Sequence, residues 1–112
     1  MLDPDRIVER LEQMESAIKD YAKSRSERIY LEQWRKSKKA LLMRSEEALK
    51  LKTVAEREAY AYAHTEYIQV IEGLRDATEI EEKHRWALIS LQLEIEVWRS
   101  MNANQRTMQS NV

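Results

Sequence analysis

The amino-acid sequence predicts an all-α fold, an elongated three- to four-helix hairpin or coiled-coil-like bundle that forms oligomers. The 112 residues include one glycine and one proline, so the turns that β-sheets need are almost absent. Charged residues make up 35% of the chain and the mean hydropathy is -0.72, values typical of long helices. Apolar side chains recur every three or four residues, which is the period of one helix face.

We expect a single helical domain over residues 1–101 and a flexible polar tail over residues 102–112. The predicted helices span residues 4–23, 25–52, 54–74 and 79–101.

The first helix begins at Asp3-Pro4, because Asp caps free amides and Pro suits the first helical position. Ser24–Glu27 and Thr53–Glu56 both fit the capping-box pattern and predict helix starts. Gly73 favours a third junction, although one glycine costs a helix only about 1 kcal/mol and a continuous helix is equally compatible.

Each helix carries an apolar stripe. The stripe of the first helix consists of Ile7, Leu11, Met14, Ile18 and Tyr21. The stripe of the second consists of Leu31, Trp34, Leu41, Leu42, Ala48 and Leu49.

The last helix is apolar on two sides, and a helix of this kind must be covered on two sides. One face consists of Ile80, His84, Leu88, Leu91, Ile95 and Trp98. The opposite face consists of Trp86, Ile89, Leu93 and Val97, and we expect it to be the interface of a homo-oligomer.

Charge is concentrated in the middle of the chain. Residues 23–52 hold ten basic and four acidic side chains, a net charge of +6, whereas both flanking segments are acidic. Six cations fall within an arc of about 100° on the second helix, away from its apolar stripe: Arg25, Arg28, Arg35, Lys36, Lys39 and Lys50. Such an array attracts phosphate chains, and the alternative is a solvated face with i,i+4 ion pairs.

Lys38, Ser45 and Lys52 recur every seven residues near the middle of the second apolar stripe, where a core heptad does not normally repeat a cation. Their side chains either extend into solvent from a shallow contact between helices, or line a ring or channel in which they contact a shared polyanion.

Catalysis and cofactor binding are not expected. The chain has no cysteine, and His64 and His84 lack a carboxylate at metal-ligand spacing. We expect no enzymatic activity, no metal, no cofactor and no small-molecule substrate. No signal peptide or membrane span is predicted, which indicates a cytoplasmic protein.

The chain resembles the UvsY-type recombination mediators of phages. The likeness rests on Tyr30–Trp34 leading into a basic helix, on Ala48–Lys52, on a helix around Glu66-Tyr67 and on the ending Trp98–Ser100. It covers about residues 15–106 and is mostly one of architecture.

This resemblance implies a ring-shaped homo-oligomer that binds single-stranded DNA and helps to load a RecA-type recombinase onto strands coated by single-strand binding protein. It also implies the cytoplasm of a bacterial host. The basic pair that contacts DNA in that family corresponds to Lys50 and Lys52, with Lys in place of Arg at the second position. Two alternatives stay open, namely a phage-type inhibitor of a host nuclease or CRISPR complex, and a structural coiled-coil adaptor.

Overall fold

The computed structural model describes residues 3–110, and within this range the chain forms four α-helices and no β-strand. The predicted all-α class is therefore confirmed. The helices are α1 (Pro4–Met43), α2 (Glu46–Leu49), α3 (Val54–Ala63) and α4 (Thr65–Ser110). None of the helices in this range is both long and apolar enough to cross a membrane.

The chain contains two compact units. Unit 1 combines the two ends of the chain, up to Lys23 and from Glu82 onward. Unit 2 is the intervening segment Ser24–Glu81, and it contains α2, α3 and parts of both long helices.

Helix α1 begins as predicted, because the Asp3 side chain accepts a hydrogen bond of 2.8 Å from the Arg6 amide. The break predicted at Ser24 is wrong, since α1 continues through this position to Met43 and Ser24 is buried. The pattern Ser24–Glu27 contains no residue that ends a helix. Its neighbours are good helix formers, and burial of this side favours continuity.

The α1–α3 connection is built by two capping residues. Ser45 accepts from the Ala48 amide at 3.3 Å and caps α2, and its own hydroxyl donates to the Leu42 carbonyl at 2.7 Å. Thr53 accepts from the Glu56 amide at 3.1 Å and caps α3, as its capping-box pattern predicts. The second predicted helix therefore ends at Met43 rather than near residue 52.

The break between α3 and α4 lies at His64, where the sequence predicted none. His64 adopts an extended backbone, its Nδ1 accepts from the Glu66 amide at 3.1 Å, and its carbonyl accepts from the Ile68 amide at 3.0 Å. The imidazole thus caps α4. No junction occurs at Gly73, and the segment predicted as a polar tail is helical as far as Ser110.

Unit 2 has the better-covered core. Leu42, Ala61 and Tyr67 are buried together, Met43 packs against them, and Ala48 of α2 is fully buried.

In unit 2, α1 and α4 run antiparallel, since Arg28 pairs with Glu81 while Lys38 pairs with Glu66. The Arg28 guanidinium donates two hydrogen bonds to the Glu81 carboxylate, one of them at 3.1 Å from Nη2 to Oε1. Glu81 is 7% exposed, so this pair is the most protected ion pair between these segments of the two helices.

Unit 1 contains parts of two helices only. Ile7 and Ile95 are its buried apolar side chains within residues 3–23 and 82–110, and an ion pair of 3.2 Å joins Arg10 to Glu94. The remaining apolar side chains of this unit are half-buried or exposed. Two helices offer each other only one contact face, which explains the small core.

Replacing Gly73 by Ala should stabilise the protein by about 1 kcal/mol, because Gly lowers the stability of a helix interior relative to Ala. A Cβ at Gly73 would meet no heavy atom within 4 Å, so no clash opposes this gain. The midpoint of urea unfolding, followed by circular dichroism, should rise with an unchanged slope. Ala77→Gly, one turn away in α4, should lower it. A lower midpoint for Gly73→Ala would contradict the open space described here.

Replacing Glu81 by Ala should lower the free energy of unfolding, because the Arg28 guanidinium would lose both of its hydrogen bonds to this carboxylate. Glu72→Ala, on an exposed position of the same helix, is the matched control and should have little effect. A double-mutant cycle of Arg28→Ala and Glu81→Ala measures the interaction free energy between the two side chains. Strictly additive effects would show that the two groups do not stabilise the fold together.

Candidate nucleic-acid interface and self-association surface

Two arginines of α1 face α4 in unit 2. Besides its bonds to Glu81, Arg28 forms an ion pair of 3.1 Å with Glu32, one turn along α1. Arg35 Nη1 donates a hydrogen bond of 3.2 Å to the Tyr67 hydroxyl. The hydrogen bond from Arg28 to Glu81 raises the pKa of Arg28, and the bond to Tyr67 raises the pKa of Arg35. Both guanidinium groups are therefore held in place as cations.

Two lysines of α1 form the next contacts along the same side. Lys38 Nζ lies 3.1 Å from the Glu66 carboxylate, and Lys39 Nζ lies 3.3 Å from the Glu58 carboxylate of α3. Lys39 also lies 4.6 Å from the centre of the Tyr62 ring. Contacts with Tyr62, and then with Glu58, raise the pKa of Lys39. Its ammonium group is thus stabilised by an aromatic ring and a carboxylate at once.

The predicted orientation of the basic arc is wrong for Arg28, Arg35 and Lys39, which face neighbouring helices instead of lying opposite the apolar stripe. The physical reason is the rotation of α1 about its own axis, which decides which side chains face the neighbouring helices. Its buried side passes through Leu42, whereas Leu41 and Trp34, predicted on the apolar side, are exposed. Arg28 and Lys39 lie next to this buried side and contact carboxylates of α4 and α3, and Arg35 contacts the Tyr67 hydroxyl of α4. Their role in DNA binding stays a prediction.

A second group of cations in unit 2 is exposed: Arg25, Lys36, Arg44, Lys50 and Lys52. None of their charged groups has an ion-pair partner within residues 3–110. Four of the seven predicted DNA-binding residues belong to this group. They are the cations of unit 2 that are available to an external anion.

The segment that carries Lys50 and Lys52 is held by its own hydrogen bonds. The Arg57 guanidinium donates to the Leu51 carbonyl at 3.2 and 3.0 Å from Nε and Nη2. The Lys52 amide donates to the Glu56 carboxylate at 3.3 Å. The peptide group between Leu51 and Lys52 is therefore held through both its carbonyl and its amide, while the two lysine side chains are exposed.

Lys38, Ser45 and Lys52 do not share a helix face, because α1 ends at Met43. Lys38 pairs with Glu66, Ser45 caps α2, and Lys52 lies in the following connection. The seven-residue spacing therefore has local explanations and creates no common row of cations.

The two histidines lie in different settings. His64 caps α4 through Nδ1, and His84 is half-buried in unit 1. Within residues 3–110, no three His, Asp or Glu side chains are grouped so that they could hold a metal ion.

The second apolar face of the last predicted helix is exposed in unit 1. Trp86, Leu93 and Val97 are each more than half exposed, at 58%, 56% and 57%, and Ile89 is half-buried. This face therefore has no cover within its own unit. Whether another copy covers it stays a prediction.

Trp86 is the residue of this face whose side chain forms polar contacts. Its Nε1 donates to the Glu82 carboxylate at 3.1 Å, and the Arg85 guanidinium lies 4.7 Å from its ring centre. These groups from the same helix fix the indole while they leave most of its surface in water.

Sequence reasoning missed the exposure of Tyr30. This side chain is 65% exposed, and Trp34 lies one turn further along α1. This exposure could have been predicted from the sequence if the buried side of α1 had been centred on other residues. Leu31 and Leu42 define the buried side, and this choice places Tyr30 and Trp34 on another side.

Comparison of the chain with protein-family models, with curated proteins and with solved structures finds no match.

Proposed function

We propose that this chain is a non-catalytic protein that binds single-stranded DNA as a homo-oligomer and assists the loading of a recombinase. The observation that carries the proposal is the group of exposed cations of unit 2 without ion-pair partners. Arg25, Lys36, Lys50 and Lys52 are the predicted DNA contacts that belong to it.

The division of the cations supports binding to a polyanion. Arg28, Lys38 and Lys39 neutralise carboxylates of the same chain, so they contribute little to attracting phosphate. The exposed cations have no carboxylate partner within residues 3–110, and phosphate contacts with them would release counterions. This mode of binding depends on salt and has little sequence preference.

Lys50 and Lys52 are the strongest candidates for direct contacts with phosphate. Their backbone is held by Arg57 and Glu56, so binding requires little ordering of the chain. They also correspond to the basic pair of the phage mediators that the chain resembles. A lysine at both positions supplies charge without the fork geometry of arginine.

Self-association is supported by the exposed apolar surface of unit 1. A two-helix unit leaves Trp86, Leu93 and Val97 in water, together with Leu11 and Ile18 of α1. Trp86, Leu93 and Val97 share one face of α4, and monomeric proteins seldom expose large contiguous apolar patches. A second copy supplies the missing helix layer. Assembly also repeats the cations of unit 2 along one strand, which raises the total affinity.

The mediator role itself rests on the resemblance. A protein of this kind binds strands already coated by single-strand binding protein and helps a RecA-type recombinase to replace that coat. Recombinase filament formation on coated strands should therefore accelerate when the chain is added.

A structural helical adaptor is the second candidate. The observation that favours it is that Arg28, Arg35 and Lys39 contact side chains of the same chain. In an adaptor, these cations would stabilise the fold and would have no ligand. An adaptor would self-associate without binding DNA, so the two candidates differ in one measurement.

The double substitution of Lys50 and Lys52 by Ala should weaken binding to a fluorescein-labelled oligothymidine, measured by anisotropy at several salt concentrations. Loss of two phosphate contacts should reduce the slope of log affinity against log salt by about 1.4. Lys19→Ala with Arg106→Ala removes the same charge from exposed positions of unit 1 and should leave the slope unchanged. A wild-type chain that leaves the anisotropy unchanged at low salt would exclude DNA binding and favour the adaptor.

Replacing Leu93 and Val97 by Glu should dissociate the oligomer, because each subunit would then place charges at an apolar contact. Light scattering should give a multiple of 13.4 kDa for the wild type and a lower mass for the variant. Gln92→Glu, on a neighbouring exposed position of the same helix, is the control and should keep the wild-type mass. A folded wild-type monomer at high concentration would contradict self-association through this face.

A further inference from the structure

One exposed side of α1 in unit 2 carries no carboxylate. At about 100° per residue, seven side chains fall within an arc of about 120°. They are Ser26, Tyr30, Gln33, Trp34, Ser37, Ala40 and Leu41. All seven are exposed, and none is charged. In a chain with 35% charged residues, this uncharged strip, which spans about 22 Å of helix, is unusual.

Two aromatic rings lie on consecutive turns of this strip. Tyr30 is 65% exposed and Trp34 is 37% exposed. Trp34 also borders a cavity of about 360 Å³ between α1 and α4, where Leu31, Val70 and Gly73 contribute to the wall. The missing side chain of Gly73 helps to keep this space open. Lys38, Glu66 and Gln69 also line this recess, so one edge of the indole meets a wall of mixed polarity while part of the ring faces water.

We propose that Tyr30 and Trp34 form a stacking platform for the bases of single-stranded nucleic acid. This inference rests on the proposed function, and it adds a base-contacting site to the phosphate-contacting cations. Every base has a π-face, so stacking on aromatic side chains tolerates any sequence. The recess beside Trp34 gives room for the edge of a base that is unstacked from its neighbours.

The neighbouring groups suit a nucleic acid better than another helix. Ser26, Gln33 and Ser37 interrupt the apolar positions of the strip, and their polar groups would be left unpaired under a packed helix. The same groups donate hydrogen bonds to phosphate or base oxygens. None of the seven side chains of the strip is a carboxylate, and the Glu66 carboxylate that lines the recess is paired with Lys38 at 3.1 Å, which limits repulsion of phosphate. Arg44, an exposed cation without an ion-pair partner in the described residues, follows the end of α1.

The platform is tested by replacing Tyr30 and Trp34 with Ala, singly and together, and titrating each variant with labelled oligothymidine. Each lost ring should weaken binding by about 5- to 150-fold. The salt dependence should keep the wild-type slope, since no phosphate contact is removed. Phe at either position should restore most of the affinity. Ile68→Ala, an exposed apolar position on α4 of unit 2, is the matched control.

Tryptophan fluorescence gives a second measurement. A variant with Trp86→Phe and Trp98→Phe keeps Trp34 as its single tryptophan, and its emission should be quenched when oligothymidine binds. Circular dichroism and light scattering test whether each variant is folded and whether it keeps the wild-type mass.

The outcomes separate the platform from the proposed function. If the Ala variants bind like the wild type while Lys50→Ala with Lys52→Ala weakens binding, the platform is wrong and DNA binding stands. If the Ala variants instead lower the oligomer mass, the strip contacts another copy and the platform is overturned. If the wild type does not bind at all, both proposals fail.

Discussion

Few helices pack beside one another in either unit, and this shortage limits the core and determines which surfaces stay exposed. Each long helix is covered on one side in each unit, because two helices alone offer each other a single contact face. Unit 2 gains a modest core from α2 and α3, which bury Ala48 and Ala61. Unit 1 has no such cover, and Ile7 and Ile95 alone are buried apolar side chains there within residues 3–110. Surface left uncovered for this reason is available for binding.

Ion pairs replace part of the missing apolar core in unit 2. Arg28 and Glu81 are held close together beside the contact between α1 and α4, and the antiparallel order of the pairs fixes which residues of the two helices meet. Isolated surface ion pairs contribute little to stability, but Glu81 is buried, and its removal leaves Arg28 with the more exposed Glu32 carboxylate alone. The consequence for function is that a basic stretch in a sequence overstates the charge available to a ligand. Only cations without an internal carboxylate attract phosphate strongly.

Local signals in the sequence predicted the helical class, the cap at Asp3 and the cap at Thr53, because these depend on a few adjacent residues. Ser24 carries the same pattern as Thr53 and yet lies inside α1, since tertiary burial of this side decides between a helix start and a helix interior. The side of α1 that faces α4 depends on a shift of one residue, from Trp34 and Leu41 to neighbouring positions. Periodicity alone does not distinguish the two phases when apolar residues occupy both. The partners of Arg28 and Lys39 depend on which side of α1 faces its neighbours, so the sequence did not predict these partners either.

A protein with few cations for its ligand gains most from repetition. The exposed cations of unit 2 are few, and each phosphate contact weakens as salt rises, so under the proposed function a single copy would hold a strand loosely at physiological ionic strength. The proposed aromatic stacking would add affinity that salt does not screen, and the proposed self-association would make later contacts with the same strand intramolecular. The exposed apolar surface of unit 1 and the unpaired cations of unit 2 consist of different residues, so the proposed assembly and the proposed strand binding do not compete for the same side chains. A strand held by many weak contacts can also be released stepwise, which is what the proposed transfer of DNA to a recombinase requires.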